Sequence, residues 1–139
     1  MNSALAESEH LIEELLWSDR LLLGVPMYNF SVPFTFKAYI DNIVRINRTF
    51  VFNPQTYSFQ GLVRQTKALI ITPIASNFRH STPLGAINYC ETYLRSPLNF
   101  IGIKDINIVS IPNQFMGDEV RYREIETART KLNNLATNW

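Results

Sequence analysis

Three times in 139 residues the chain runs a short, almost unbroken aliphatic stretch into a proline: RLLLGV before Pro26, KALIIT before Pro73 and DINIVSI before Pro112. Runs of this kind suit strands buried on both faces of a sheet. Proline donates no ladder hydrogen bond and is a natural stop. Between the runs lie segments of helical period. Residues 4–17 place Leu5, Leu11, Ile12, Leu15 and Leu16 on one face and Glu7, Glu9, Glu13 and Glu14 elsewhere. Residues 34–46 keep Phe36, Ile40, Ile43 and Val44 at helical spacing, while Lys37, Asp41 and Arg45 fall four apart on the opposite side. Asn47 then stands where a left-handed helix-ending residue is useful. Residues 51–65 have no helical period and carry Asn-Pro and a glycine, which reads as loop or short irregular strand. Residues 73–83 read as loop and 84–95 as helix. From 118 to about 136, Ile125, Ala128, Leu132 and Leu135 form an apolar stripe.

The order αβαβαβα predicts a parallel sheet with helices on both faces, in one domain over residues 1–139. In such sheets ligands bind at the carboxyl ends of the strands. Both PMYNF, after the first strand, and PIASNFRH, after the second, fall at that edge. A composition 46% hydrophobic supplies enough apolar mass for a core. The net charge of +1, with no basic block, gives no footprint for nucleic acid or an anionic membrane. No apolar run approaches the length of a membrane span, and the first residues lack signal-peptide order, so a cytoplasmic location is expected. Cys90 is the single cysteine and reads as a packing residue. His10 and His80 are too scattered for a metal site.

The chain resembles the flavodoxin-like FMN-dependent NADH-azoreductases and related NAD(P)H:quinone oxidoreductases. The resemblance is carried by Pro26-Met27-Tyr28-Asn29-Phe30, Val32-Pro33, Lys37-Ala38-Tyr39-Ile40-Asp41 and Arg48-Thr49-Phe50. It continues through Gly61-Leu62, Lys67-Ala68, Thr82-Pro83, Tyr93-Leu94 and Phe100-Ile101-Gly102-Ile103. It implies that Met27, Tyr28, Asn29 and Phe30 wrap one side of an FMN isoalloxazine, and that Pro73, Ile74, Ala75 and Ser76 reach its pyrimidine edge through backbone groups. Phe52, Phe78 and Phe100 would either line the substrate side or serve as buried packing. Arg79 and His80 are expected in a solvated loop rather than at a nicotinamide phosphate. The implied reaction takes a hydride from NADH or NADPH and then passes two electrons to a quinone or azo compound, in a homodimer, with no side chain acting as nucleophile or base.

The same resemblance marks departures. The fold normally opens with a strand, a phosphate-binding loop, a helix and a second strand, and the chain is expected to enter inside the helix that leads to the third strand. Of the usual order 2-1-3-4-5, strands 3, 4 and 5 are expected, giving an N-terminally incomplete flavodoxin-like domain. The FMN phosphate would lose its cradle at a helix N-terminus. RLLLGV would become an edge strand, and the last helix would lose a neighbour, each exposed Leu or Ile forgoing about 1.5–3 kcal/mol of burial. Pro73-Ile74-Ala75-Ser76 stands where the family commonly has Ser-Arg-Gly-Gly, which should weaken flavin affinity. Asn47 and Asn99 stand where glycines are common. Two readings stay open: the oxidoreductase, and a non-catalytic, truncated or diverged member serving as an interaction module. Hydrolysis is disfavoured, because the sequence has no Ser-His-acid arrangement and no G-x-S-x-G.

Overall fold

The computed structural model describes residues 5–137 and 139. Helix α1 (Ala6–Trp17) leads into β1 (Arg20–Gly24), then α2 (Phe34–Ile43). A hairpin of β2 (Phe50–Asn53) and β3 (Ser58–Gly61) precedes β4 (Lys67–Pro73). Helix α3 (Tyr89–Ile101), β5 (Ile106–Ile111) and α4 (Asp118–Ala136) complete the chain. The alternation read from the sequence is therefore present, with a hairpin added. Residue 4, the expected start of the first helix, lies outside the described residues.

The main sheet has the order β1-β4-β5 and is parallel throughout. Leu22 sits opposite Leu69, and Ile70 opposite Ile108. One face carries Ala68, Ile70 and Ile106 into a core with Ile12, Leu15, Ile40, Ile43, Leu94, Leu98 and Ile101, contributed by α1, α2 and α3. The other face is thinner. There Leu69 and Val109 pack against Ala128, Leu132 and Leu135 of α4 and against Trp139. Because β1 is an edge strand, Leu22 on this second face stays 62% exposed. Ala128 is the buried member of the α4 stripe, and Ile125 is exposed.

Three expectations are corrected. Residues 51–65 contain a regular antiparallel hairpin with Phe52 opposite Phe59. Its strands escape a period-2 reading because they are mostly exposed and are held by ring contacts instead. The helix expected over 84–95 begins later and runs further. Pro83–Ile87 is a 3-10 turn, after which the Asn88 side chain caps α3 by accepting from the Glu91 N–H at 3.2 Å. The helix then continues through Pro97, a residue that removes a backbone donor. Cys90, Leu94, Leu98 and Ile101, all fully buried along one side, hold it across that break. Finally, α2 stops at Ile43 rather than 46. The buried Thr49 Oγ1 donates to the Ile43 carbonyl at 2.5 Å and accepts from the Arg45 N–H at 3.0 Å, turning the chain back. Asn47 does adopt the left-handed region, φ 65°, but inside this turn. Asn99 is helical, and the left-handed residue ending α3 is Gly102, φ 116°.

Two glycines fix the hairpin to the end of α3. A Cβ at Gly61 would strike the Ile101 carbonyl carbon and the Gly102 nitrogen. The Val63 N–H donates to the Ile101 carbonyl at 2.9 Å beside them.

The start of the chain is tied to the turn after α2 by one carboxylate. Glu9 meets Arg45 at 2.8 Å and Arg48 at 2.7 Å, and Arg45 also donates to the Ser8 hydroxyl at 2.9 Å. Burial pushes the Glu9 carboxyl up, but hydrogen bonds from Arg48 and Arg45 outweigh it and hold the group below its usual 4.5. A carboxylate with a depressed folded-state pKa adds stability that is fully present above the unfolded value and is lost as pH falls through the folded one. Urea midpoints of the native chain should therefore drop on acidification below about pH 4.5 more steeply than those of Glu9→Gln. Parallel curves for the two proteins would show that the clamp does not contribute.

Candidate functional site

The carboxyl edge of the sheet is where the backbone leaves its ladder and its groups become free for other partners. The chain after β1 stays paired with the second half of β4: the Val25 N–H donates to the Ile71 carbonyl at 2.9 Å, and the Met27 N–H to the Pro73 carbonyl at 3.0 Å. This last bond sets the two candidate segments side by side. Immediately beyond it, Tyr28 and Ser31 exchange both backbone hydrogen bonds, at 2.9 and 3.0 Å, around Asn29 (φ 46°) and Phe30 (φ 71°). Two consecutive left-handed residues define a type I′ turn. Asn suits such a turn. A bulky Phe there is strained, and strain of this kind concentrates at functional sites. The turn lifts Tyr28 and Phe30 into solvent, 60% and 47% exposed, while Met27 stays half-buried.

Facing the turn, residues 73–76 are held by the loop after β5. The Ile74 N–H donates to Ile111, and the Ile74, Ala75 and Ser76 carbonyls accept from the N–H groups of Gln114, Phe115 and Asn113 at 3.0–3.2 Å. The carbonyls are thereby used up. Among the described residues, nothing accepts from the N–H groups of Ala75 and Ser76, so this segment presents donors. The sequence reading missed the clamping loop, although Asn113 at φ 62° after Pro112 is a turn signal.

Of the three aromatic residues expected on a substrate side, the structure brings one to this place. Phe78, buried, lies 6.0 Å from Phe30, centroid to centroid. Phe52 and Phe100 belong to a separate cluster on the hairpin, where Phe100 is 4.8 Å from Phe50 and Phe52 is 5.0 Å from Phe59. Arg79 points the other way and pairs with Glu124 at 2.8 Å; His80 is exposed. On the free-edge side of β1, Tyr28, Pro26, Pro33 and Phe34 line an open cleft of about 520 Å³. That volume lies inside the roughly 300–1,000 Å³ usual for small-molecule sites.

Elsewhere the titratable groups do not suggest catalysis by side chains. Burial raises the Cys90 thiol, fully enclosed beside Thr72, so it stays protonated and inert. Lys37 is raised by its hydrogen bonds to Asp41 on an exposed helix face. Among the described residues no group of three or more His, Cys, Asp or Glu is placed to hold a metal, and no helix is long and apolar enough to cross a membrane.

A flat, mostly apolar wall facing a strip of backbone donors, at the carboxyl edge of a parallel sheet, is the arrangement of a doubly wound nucleotide-binding protein. The family model for the flavodoxin-like fold matches residues 1–135, and the chain belongs to that family. Among curated relatives, an FMN-dependent NADH:quinone oxidoreductase of Nostoc punctiforme is 43% identical over 136 residues, 98% of this chain and 65% of that protein. The FMN-dependent NADH:quinone oxidoreductase 2 of Trichormus variabilis is 39% identical over 140 residues, covering 67% of its length. The chain thus spans about two thirds of these relatives. Among solved structures, an azoreductase from Bacillus anthracis superposes with a TM-score of 0.88 at 20% identity over 98% of this chain and 64% of that one. An FMN-dependent NADH-azoreductase from the same species, in complex with FMN, gives 0.80 at 22% identity over 96% and 63%. These structural likenesses concern the fold.

If the Phe30 ring is held up for a ligand rather than for packing, its loss should cost little stability. Phe30→Asn relieves a left-handed bulky residue, worth about 1–2 kcal/mol, against an aromatic contact worth about 0.5–1.5. Urea unfolding should place the variant within about 1 kcal/mol of the native chain. A loss above about 2 kcal/mol would make Phe30 a core residue instead.

Proposed function

We propose that this chain forms the ring-binding part of an FMN-dependent NAD(P)H oxidoreductase that reduces quinones or azo compounds. The observation that carries the reading is the Met27–Pro73 backbone bond, which sets a strained Tyr28-Asn29-Phe30 turn against the free N–H groups of Ala75 and Ser76. Isoalloxazine is flat, apolar over much of its area, and edged by carbonyl oxygens and ring nitrogens that accept hydrogen bonds. Tyr28 and Phe30 supply surface for the ring, Met27 a polarisable floor, and residues 75 and 76 directed donors. FMN held by these residues would supply two-electron redox chemistry between a nicotinamide donor and the acceptor. The chain's own part is to orient the ring, exclude water from one face and stabilise negative charge at the pyrimidine edge.

The names of the curated relatives support NADH as donor and a quinone as acceptor, and those of the structural neighbours an azo compound. A homodimer fits the hairpin. Tyr57, Phe59, Phe52 and Phe100 present an exposed aromatic surface there, at 83%, 57%, 37% and 39%. Patches of this kind mark interaction sites. A dimer formed through this surface would place Phe52 and Phe100 at its interface.

The test is a titration of FMN into the purified chain, followed by flavin fluorescence and by molar mass. Saturable binding is expected, weakened about tenfold or more by Tyr28→Ala and by Asn29→Ala, an effect of roughly 1.4 kcal/mol each. Binding that is unchanged in both variants would move the site elsewhere. A folded chain that takes up no FMN would favour the non-catalytic reading.

A further inference from the structure

The far edge of the sheet holds a feature that the flavin reading does not use. In the β4–β5 ladder the Asp105 and Ile111 carbonyls point toward β4, accepting from Ala68 and Ile74. Backbone groups alternate direction along a strand, so those of Ile106, Ile108 and Ser110 point outward. The Ile106 carbonyl is covered by Arg95, which donates to it at 2.8 Å. Further along the edge, nothing among the described residues pairs with the outward N–H and C=O groups of Ile108 and Ser110. They open into a cleft of about 240 Å³ whose floor includes Phe78 and Ala128 and whose α4 wall carries Lys131.

The charges around this opening are unevenly satisfied. Glu124 accepts from Arg79 and, at 2.9 Å, from Asn113; Glu91 accepts from the Ser110 hydroxyl, with His80 3.9 Å from its other oxygen. Both carboxylates therefore have donors. Lys131 has no ion-pair partner among the described residues. The site thus offers paired backbone donors and acceptors at strand spacing, an apolar floor and one free cation.

We infer that the open half of the β5 edge binds an extended peptide as an added strand, with an acidic side chain of that peptide meeting Lys131. Strand addition supplies main-chain hydrogen bonds for affinity, and alternate side chains supply selectivity. An acidic residue turned toward α4 sends its two neighbours to the opposite face, where Ile108 and Phe78 favour apolar side chains. A small anion would satisfy Lys131 but leave the two edge residues unpaired. A plain hydrophobic ligand would satisfy neither.

The probe is fluorescein-labelled Thr-Val-Glu-Val-Thr, blocked at its C-terminus, followed by anisotropy against the whole chain at low salt. Saturable binding at or below about 1 mM is expected. Methylating the valine amides of the peptide should weaken it about tenfold, through lost main-chain hydrogen bonds. Ser110→Pro removes the outward N–H together with the hydroxyl that donates to Glu91 and should weaken binding similarly, whereas Ser110→Ala loses the hydroxyl alone, keeps that N–H and should bind normally. Lys131→Glu should lose the acidic peptide and gain Thr-Val-Lys-Val-Thr. Should Ser110→Pro fail to fold, the methylated peptide decides against the native chain. Absence of saturable binding, or binding indifferent to methylation, overturns the inference. So does self-association of the native chain that Ser110→Pro abolishes in sedimentation, because the edge would then belong to a second copy.

Discussion

One backbone hydrogen bond, Met27 N–H to Pro73 carbonyl, organises the candidate site. It prolongs the β1–β4 ladder past the regular end of β1 to the last residue of β4, so the segments that follow the two strands leave the sheet in contact. Without it the Tyr28–Ser31 turn has no fixed height above the sheet, and the donors of residues 75 and 76 face nothing in particular. The proline is suited to this position. It donates no ladder hydrogen bond, while its carbonyl still accepts from Met27.

The main sheet was legible because its strands are runs of long apolar side chains with little alternation, each closed by proline, although β1 lies at an edge and leaves Leu22 exposed. Helices α1, α2 and α4 were legible through their apolar spacing. The hairpin was not. Phe50, Phe52, Phe59 and Phe100 hold it through ring contacts across exposed strands, and neither alternation nor a two-residue glycine turn announces it. The passage of α3 through Pro97 was hidden for a different reason. Local preference opposes it, and only the buried row at Cys90, Leu94, Leu98 and Ile101 overrides the cost.

The candidate site divides in the same way. The place of PMYNF and PIAS at the carboxyl ends of the strands was legible, and the flavin expected there came from the family resemblance, against which PIAS stood as a departure. The left-handed conformation of Phe30 could not be read, because no sequence rule places a phenylalanine there. Nor could the donor character of residues 75 and 76, which depends on the loop at residues 113–115 consuming the carbonyls. Phe52, Phe78 and Phe100 look alike in sequence, and only the hairpin geometry separates Phe78 from the other two.

The contact between Gly61 and Gly102 restricts how this protein can vary. In most packed pairs a larger residue on one side can be answered by a smaller one on the other, so two substitutions rescue what one destroys. Here the obstacle met by a side chain at position 61 is main chain, the Ile101 carbonyl carbon and the Gly102 nitrogen. No exchange at position 102 can clear that space. The two positions are expected to stay glycine independently rather than to covary, and the hairpin has no second-site suppressor at its base.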